Sequence, residues 1–301
     1  MNWTEKYRPV GVKGIIGQQR FVDDATSWLE RNEMPNVLIY GNAGTGKTTA
    51  GIALAREMLG QHFNSCFKEI NASQDRRLDT IRETVTNFAT TKSVEDVPFK
   101  VMLLDEIDGM TKDSQRALKR TMERAVNVRF IITCNNEHDV EYPIRSRCAN
   151  YWFKPLTVET MKEVLNNIAL QEYYNVNEDE LTKFCETLNG DLRRGINELQ
   201  ACAFSNSNLK EKTKEFMNNY NEIITKLLAG ELVSCHDLLL KEVYLGKTVK
   251  EIANNLHHCV LEKDMNRMEM FKCLANIGEM EWRSNSMTPK ILVSWLVAQF
   301  K

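Results

Sequence analysis

Residues 41 to 48 read "GNAGTGKT" and fit the pattern G-x-x-x-x-G-K-[ST] of a phosphate-binding loop. The apolar stretch 37–40 precedes this loop, and a helical pattern of apolar residues that ends at Gly60 follows it. A strand, a loop and a helix in this order place backbone N–H groups around the phosphates of a nucleoside triphosphate. Lys47 then reaches the outer phosphates, and the Thr48 hydroxyl ligates Mg²⁺. We therefore predict an α/β fold in which a parallel sheet carries helices on both faces.

A second apolar run, residues 101–104, ends in the acidic pair Asp105 and Glu106. Functional groups in parallel sheets gather at the carboxyl ends of the strands. We expect Asp105 to join Thr48 in the magnesium shell, and Glu106 to orient and polarise an attacking water. A water-activating glutamate favours hydrolysis of ATP over phosphate transfer to a small molecule.

A third apolar strand is predicted within "VRFIITCNNE" at 128–137, and Asn135 follows it. A neutral amide at that strand end, beside the expected position of Glu106, can hold the water or the γ-phosphate. The segment "PIRSRC" at 143–148 then brings two arginines, Arg145 and Arg147, before a further predicted strand, "ANYWF".

Basic residues cluster on two predicted helices. Three lie at the start of one helix, and three more fall four residues apart on a helix predicted over 112–125, where they form one stripe. Two interpretations stay open: contacts to a nucleic-acid backbone, or a solvated face paired with acidic neighbours such as Glu123. The candidate DNA contacts are Arg76, Arg77, Arg82, Lys112 and Arg116.

Composition excludes several function classes. The chain has 301 residues, 43% of them hydrophobic, and a formal net charge of −2, so no overall field attracts nucleic acid. No apolar run has membrane-spanning length, and "MNWTEKYRPV" lacks the apolar core of a secretory signal, so we expect an intracellular protein with no membrane partner. The eight cysteines lack zinc-ligand spacing and are expected to be small core residues.

Six stretches, in this order, resemble AAA+ ATPases and, within that class, the replication factor C small-subunit family of clamp-loader ATPases. They are "WTEKYRP" at 3–9, "GNAGTGKTT" at 41–49, "LLDEIDGMT" at 103–111, "SQRALKRTMER" at 114–124, "SRC" at 146–148 and "GDLRRGINELQ" at 190–200. "EKYRP" and "SRC" are narrower signals than the phosphate loop, which many families share. The resemblance covers residues 1 to about 205.

The resemblance implies roles for individual residues. Arg147 would be an arginine finger that touches the γ-phosphate on a neighbouring subunit, while Arg145 flanks it at the surface. Asn135 would be the first sensor and Arg193 the second, on a lid. Gln115 matches a position near the junction of the nucleotide and DNA sides, and we assign it no catalytic role. The catalytic candidates are Glu106, Lys47, Asn135, Arg147 and Arg193.

The same resemblance implies that the N-terminal segment Tyr7, Arg8 and Pro9 lies against the adenine. It also implies that Ile16 and Gly17 adjoin that pocket. With the phosphate loop and the sensors, the predicted nucleotide-binding set is Tyr7, Arg8, Pro9, Ile16, Gly17, Gly41, Asn42, Ala43, Gly44, Thr45, Gly46, Lys47, Thr48, Thr49, Asn135 and Arg193, and the predicted metal ligands are Thr48 and Asp105. The family usually has two prolines where Asn42 and Ala43 stand, so we expect binding with a less rigid loop. Ile107 replaces a commoner alanine and is expected to face the core.

The implied cofactors are ATP and Mg²⁺. The implied partners are a PCNA-type sliding clamp, a clamp-loader large subunit with further small subunits in a ring of five, and primer–template DNA. Localisation would be nuclear in a eukaryote, and cytoplasmic and nucleoid-associated in a prokaryotic or viral system. Two alternatives stay open: another AAA+ motor or remodelling ATPase, and a nucleotide-binding scaffold without turnover. "EKYRP" and "SRC" favour clamp loading.

Three domains are predicted. Residues 1–154 form the AAA+ nucleotide-binding domain, 155–205 a helical lid, and 216–301 a helical collar that joins subunits, with a polar linker at 205–215. Asn177 and Asp191 are predicted to cap lid helices. His257 and His258 are adjacent on a predicted helix and face different directions, which indicates structural roles.

Overall fold

A computed structural model describes residues 1–72, 78–90, 97–205, 207–284 and 286–300, with the side chains of 78–82, 211–218 and 262 excepted. The chain divides into two compact units. The first comprises Met1–Asn175 with Gly190–Ala203, and the second comprises Val176–Asn189 with Phe204–Lys301.

The helices of the described ranges alternate with strands in the first half of the chain and follow one another in the second half. They are α1 (Trp3–Lys6), α2 (Gln19–Arg31), α3 (Lys47–Leu59), α4 (Phe63–Cys66), α5 (Leu78–Thr90), α6 (Lys112–Arg124), α7 (Tyr142–Arg145), α8 (Val158–Gln171), α9 (Glu178–Thr187), α10 (Leu192–Ser205), α11 (Leu209–Leu228), α12 (Leu232–Tyr244), α13 (Val249–Glu262), α14 (Arg267–Arg283) and α15 (Pro289–Ala298). Short 3-10 helices lie at Val12–Gly14, Gly60–His62, Ile107–Gly109 and Glu137–Asp139.

A parallel sheet forms the centre of the first unit. Its strands are β1 (Val37–Tyr40), β2 (Phe67–Asn71), β3 (Lys100–Asp105), β4 (Val128–Cys134) and β5 (Ala149–Trp152), and their order across the sheet is β2-β3-β4-β1-β5. The strand β4 therefore lies between β1, which leads into the phosphate loop, and β3, which leads into the acidic pair. Ile39 pairs with Thr133, and Leu104 pairs with Ile132. This register brings the ends of all three strands to one edge of the sheet.

Both faces of the sheet are covered by helices, as the sequence predicts. Successive residues of a strand point to opposite faces, so Val101 and Leu103 pack into one core, and Met102 and Leu104 pack into the other. The first core includes buried residues of α2 and α3, such as Phe21. The second includes buried residues of α5 and α6. The runs that read as uninterrupted apolar strands are thus buried on two sides.

Capping residues set where the helices around the site begin. The Thr111 side chain accepts a hydrogen bond from the Ser114 N–H and starts α6. The Asp191 side chain accepts from the Arg194 N–H at the start of α10, at 3.0 Å. Asn177 accepts from two N–H groups at the start of α9. The predicted caps at Asn177 and Asp191 are confirmed.

The second unit is helical, and α9 packs against α11 within it. Its core contains buried residues from α11 to α15, including Ile224, Leu256 and Leu296. We predicted from the sequence that α8, α9 and α10 form one lid. The division into two compact units instead places α9 with α11 to α15. The predicted linker at 205–215 is wrong in extent, because Asn208 caps α11 and the helix begins at Leu209.

Several smaller predictions can be compared with the described residues. Ile107 is fully buried, as expected. All eight cysteines are free thiols, and Cys148 alone among them is not fully buried. Among the helices of the described ranges, none combines the length and the apolarity needed to cross a membrane.

Leu103→Ala should destabilise the sheet, because Leu103 is fully buried in β3 and its removal leaves a cavity under α3. We expect a loss of about 2–5 kcal/mol in the free energy of unfolding, measured by urea denaturation followed by circular dichroism. Leu170→Ala is the matched control, since Leu170 on α8 is 66% exposed. Equal unfolding midpoints for the two variants would contradict this core assignment.

Candidate functional site

At two positions of the loop between β1 and α3, both the backbone conformation and the packing require glycine. Gly41 has a φ of 147°, and a Cβ built there would lie 2.2 Å from the Phe153 carbonyl oxygen. Gly44 has a φ of 74°, and its Cβ would lie 1.8 Å from Asp191 Oδ1. A side chain at either position would therefore open the loop, so the curled backbone that the sequence predicts is built into the packing.

Lys47 folds back over this loop. Its Nζ donates hydrogen bonds to the carbonyl oxygens of Gly41, at 2.8 Å, and Asn42, at 2.9 Å, and to Asn135 Oδ1, at 3.1 Å. Burial lowers the pKa of the Lys47 ammonium, and the negative charges of Asp105 and Asp108 oppose that shift. The structure thus brings Lys47 and Asn135 together, from elements 88 residues apart in sequence.

Asp105 connects the phosphate loop to the acidic strand end. Its Oδ1 accepts a hydrogen bond from Thr48 Oγ1, at 2.8 Å, and another from Thr133 Oγ1, at 2.5 Å. Thr48 and Asp105 offer hydroxyl and carboxylate oxygens, the hard donors that Mg²⁺ prefers. The two predicted metal ligands are therefore adjacent, and their chemistry fits that ion.

Glu106 directly follows β3 at the same edge of the sheet, and the backbone leaves the strand direction there. Its backbone is left-handed, with a φ of 55°, and its N–H donates to Thr133 Oγ1 at 3.1 Å. The residue is exposed, and its carboxylate makes no hydrogen bond or ion pair with the residues that the structure describes. It is therefore available to a water molecule. Asn135 is oriented through its own N–H, which donates to Asp108 Oδ2 at 3.0 Å.

An apolar pocket adjoins the loop. Its lining includes part of the predicted nucleotide-binding set: Tyr7, Arg8, Pro9, Ile16, Gly44, Thr45, Gly46, Thr49 and Arg193. Gly17, Asn42 and Ala43 do not line it, and Gly41, Lys47, Thr48 and Asn135 lie on the side of the acidic pair. Apolar residues that the sequence analysis did not select complete the wall, among them Ile15, Leu156, Val164, Leu192 and Ile196.

Two helices hold the N-terminal segment against this pocket. Lys6 Nζ and Tyr7 Oη both donate to Glu172 Oε1, at 2.6 and 2.7 Å. The hydrogen bond from Lys6 lowers the pKa of the Glu172 carboxyl, and burial raises the pKa of the Tyr7 phenol. The Trp3 N–H donates to Gln200 Oε1 on α10 at 3.0 Å. The wall formed by Tyr7 and its neighbours is thus anchored to α8 and α10.

Known proteins resemble this chain over nearly its whole length. A family model described as "ATPase family associated with various cellular activities (AAA)" matches residues 37–156. The replication factor C small subunit of Methanoregula boonei is 34% identical over 307 residues, covering 99% of this chain and 95% of that protein. The replication factor C small subunit of Haloarcula marismortui is 35% identical over 291 residues, covering 93% and 89%.

This chain belongs to the replication factor C small-subunit family. It is an AAA+ ATPase that binds nucleotide, and the predicted family and fold class are confirmed. Among solved structures, a single-residue variant of Thermotoga maritima RuvB matches with a TM-score of 0.61 and 17% identity, covering 85% of this chain and 91% of that one. Another, entitled as the RuvB Holliday junction branch migration motor of that species, matches with a TM-score of 0.59. At this identity the likeness shows a shared fold alone.

The structure of this replication factor C relative does not bring Arg147 to the phosphate loop of its own chain. Arg147 Nη1 donates to the Pro143 carbonyl oxygen at 2.7 Å, and Nη2 pairs with Glu123 on α6. No described hydrogen bond or ion pair joins Arg147 to Lys47 or Glu106. Arg145 is partly exposed, but its Nε is buried and has no hydrogen-bond partner among the described residues.

Arg193 and Gln115 occupy defined positions in the same unit. Arg193 lies in the first turn of α10 and lines the pocket, and its positive charge contributes to lowering the pKa of Lys47. Gln115 is buried and bridges three backbone groups: Nε2 donates to the Ile107 and Asp139 carbonyl oxygens, and Oε1 accepts from the Glu141 N–H at 2.8 Å. Gln115 thus ties α6 to the segments that follow β3 and β4.

The candidate DNA contacts are described only in part. Lys112 is exposed at the first residue of α6. Arg116 is exposed and pairs with Glu141, at 3.3 Å, and Asp113, at 3.4 Å. Both interpretations of the stripe therefore remain open. Arg76, Arg77 and the side chain of Arg82 lie outside the described part of the chain.

Four further polar residues bond the site residues or the predicted arginine finger and were not among the predicted site residues: Thr133, Asp108, Glu123 and Glu172. Asp108 is the last residue of the motif "DEID", and Thr133 lies two residues before Asn135 on a predicted strand. These two could have been found by asking which side chains share the sheet edge. Glu123 and Glu172 have no signal in the sequence, because their partners are 24 and 165 residues away.

Glu172→Ala should weaken nucleotide binding, because Lys6 and Tyr7 lose the acceptor that anchors the pocket wall. Since the carboxylate is partly exposed and its contacts are to the pocket wall and not to the nucleotide, we expect a modest rise in Kd, about threefold, measured with a fluorescent ATP analogue. Glu163→Ala, an exposed change on the same helix, should leave Kd unchanged. A Kd equal to that of the unmodified protein in both variants would remove the anchoring role.

Proposed function

We propose that this chain is an ATPase subunit of a complex that loads a ring-shaped sliding clamp onto primer–template DNA. ATP binding would favour clamp opening and DNA binding, and hydrolysis would release the clamp on DNA. The observation that supports the proposal is the hydrogen bond between Thr48 and Asp105, beside an exposed Glu106. It occurs in a chain that matches replication factor C small subunits over nearly its full length.

ATP and Mg²⁺ are the proposed cofactors, and the side chains present suit both. Bound Mg²⁺ would offset the negative charge of the phosphates. Thr48 and Asp105 would hold that ion, and Lys47 would leave the loop carbonyls to donate to phosphate oxygens. Glu106 would accept a proton from the attacking water, and Asn135 would orient that water or the γ-phosphate. Arg193 would contact the nucleotide from the lid side of the pocket.

Arg147 would act on the nucleotide of a neighbouring subunit. Its anchors, the Pro143 carbonyl and Glu123, occupy one N–H of each terminal nitrogen, and a guanidinium has five. The remaining N–H groups can donate to phosphate oxygens, where a planar fork binds well. The described contacts of Arg147 leave its own phosphate loop untouched, and in this proposal a neighbouring subunit would supply the nucleotide for this group. The proposed assembly is a ring of five with a large subunit and further small subunits.

The proposed clamp is of the PCNA type, and the proposed DNA contacts whose side chains the structure describes, Lys112 and Arg116, lie on α6. Lys112 and Arg116 are available at the surface of α6, with Arg116 partly neutralised by two carboxylates. If these residues bind phosphates, DNA affinity falls steeply with salt. The proposed location is the nucleus in a eukaryote, or the nucleoid-associated cytoplasm in a prokaryotic or viral system.

A branch-migration motor or remodelling ATPase is the second candidate, because the fold that this chain shares with RuvB does not by itself distinguish the two functions. The pattern of stimulation separates the two functions. A clamp loader responds to a sliding clamp together with primed DNA, whereas a branch-migration motor responds to a DNA junction without a clamp.

ATP hydrolysis by the assembled complex should therefore rise when a sliding clamp and primed DNA are present together, measured as phosphate release at steady state. Glu106→Gln in the same complex should retain ATP binding and lower kcat by ~10²-fold or more, because the water is no longer activated. Stimulation by junction DNA alone would instead favour the motor. Unchanged turnover in the Glu106 variant would remove its assigned role.

Two inactive variants should restore activity to each other if Arg147 acts between subunits. Arg147→Ala alone should lower turnover by ~10³-fold or more, and Lys47→Ala alone should abolish nucleotide binding at its own site. In mixed complexes, a Lys47→Ala subunit keeps Arg147. That arginine can act on the ATP bound by a neighbouring Arg147→Ala subunit, which keeps Lys47. The measurement is phosphate release against mixing ratio. Mixtures no more active than the separate variants would place the arginine in its own site.

A further inference from the structure

Thr133 on β4 has a buried hydroxyl that bonds both members of the acidic pair, Asp105 and Glu106. It is 1% exposed and lies on the strand between β1 and β3. Its Oγ1 donates to Asp105 Oδ1 at 2.5 Å and accepts from the Glu106 N–H at 3.1 Å. No role in nucleotide binding or hydrolysis has been assigned above to this residue.

The direction of both bonds is fixed by chemistry. A hydroxyl has one proton and two lone pairs, while an ionised carboxylate only accepts and a backbone N–H only donates. The proton of Thr133 must therefore point to Asp105, and a lone pair must face Glu106. This arrangement leaves the hydroxyl a single orientation, which makes it a rigid link between the two residues.

The bond to Glu106 lies where the backbone needs support. Glu106 has a φ of 55°, a left-handed conformation that is unfavourable for a residue with a side chain. β3 ends at Asp105, so the Glu106 N–H needs an acceptor beyond the strand pairing. Thr133 supplies that acceptor. The direction in which the Glu106 side chain leaves the sheet follows from this backbone conformation.

The bond to Asp105 gives the carboxylate a second hydroxyl donor besides Thr48. Two hydroxyls share Oδ1, and no hydrogen bond from the described residues reaches Oδ2. The carboxylate therefore has one oxygen held by protein and one available for the shell of a metal ion. Without Thr133, Thr48 alone would orient the group.

We propose that Thr133 is a positioning residue for ATP hydrolysis. It sets the direction of the Asp105 carboxylate and of the Glu106 backbone, and it does not touch the nucleotide. This inference rests on the proposed function in one respect, namely that Glu106 activates the attacking water.

The test compares Thr133→Val with Thr133→Ser in the assembled complex with clamp and primed DNA. Valine keeps the shape and removes the hydroxyl, whereas serine keeps the hydroxyl. We expect valine to lower kcat by ~10- to 100-fold, as small misplacements of catalytic groups do, with the Kd for ATP little changed. Serine should restore most of the turnover. Equal turnover in the valine variant and the unmodified complex would overturn the proposal.

A double-variant comparison separates positioning from general stability. If Thr133 acts through Glu106, then Thr133→Val should add little to the loss caused by Glu106→Gln in single-turnover assays. A full additional loss in that background would overturn the action through Glu106, and a rise in the Kd for ATP that accounts for the lost rate would overturn the positioning role as a whole. Thr133→Cys serves where the valine variant does not fold, because a thiol is a weak donor, and it should also lower kcat. Turnover at the unmodified rate in that variant would count against the proposal.

The two levels of inference fail in different ways. If the unmodified complex shows no hydrolysis that responds to clamp and primed DNA, the proposed function fails. If that hydrolysis is present and the hydroxyl of Thr133 proves dispensable, only the positioning role fails.

Discussion

The shared oxygen Oδ1 of Asp105 is the interaction on which the site depends. Hydroxyls from α3 and β4 both donate to it, so a single carboxylate joins the phosphate loop, the acidic strand and the strand between them. Each partner is held by an element that is itself buried in the sheet or against it. The site is therefore preorganised by the fold, since the packing of the core determines where these oxygens lie.

The order of the strands explains why these residues meet. β4 lies between β1 and β3, and Thr133 and Asn135 extend the end of β4 into the space between the loop and the acidic pair. Thr133 bonds to the β3 side, and Asn135 accepts from Lys47 on the β1 side. A sheet in which β1 and β3 were neighbours would leave no strand end between lysine and glutamate. The order thus provides both a support for Glu106 and an acceptor for Lys47.

The nucleotide pocket depends on more distant parts of the chain. Glu172 and Gln200 hold the N-terminal segment. The helix α10 contributes Arg193, and the side chain of its capping residue Asp191 lies against Gly44. The first unit therefore contains the loop, the acidic pair and the pocket wall. Arg147 is held elsewhere by Glu123, away from any described contact with these groups. These contacts agree with the proposed action of Arg147 on the nucleotide of a neighbouring subunit.

Sequence by itself determined the parts of this protein that are local. The strand–loop–helix order around Lys47, the acidic pair after β3, the caps at Asn177 and Asp191, and the two-faced sheet all follow from short patterns, because capping, periodicity and loop chemistry act between near neighbours. The start of α11 was missed, since a polar segment with few apolar residues reads as a linker. The contacts of Thr133, Glu123 and Glu172 were decided by the tertiary structure alone. Their partners are 27 or 28, 24, and 165 or 166 residues away, and no spacing rule applies to side chains that only the packing of separate elements brings within hydrogen-bond distance.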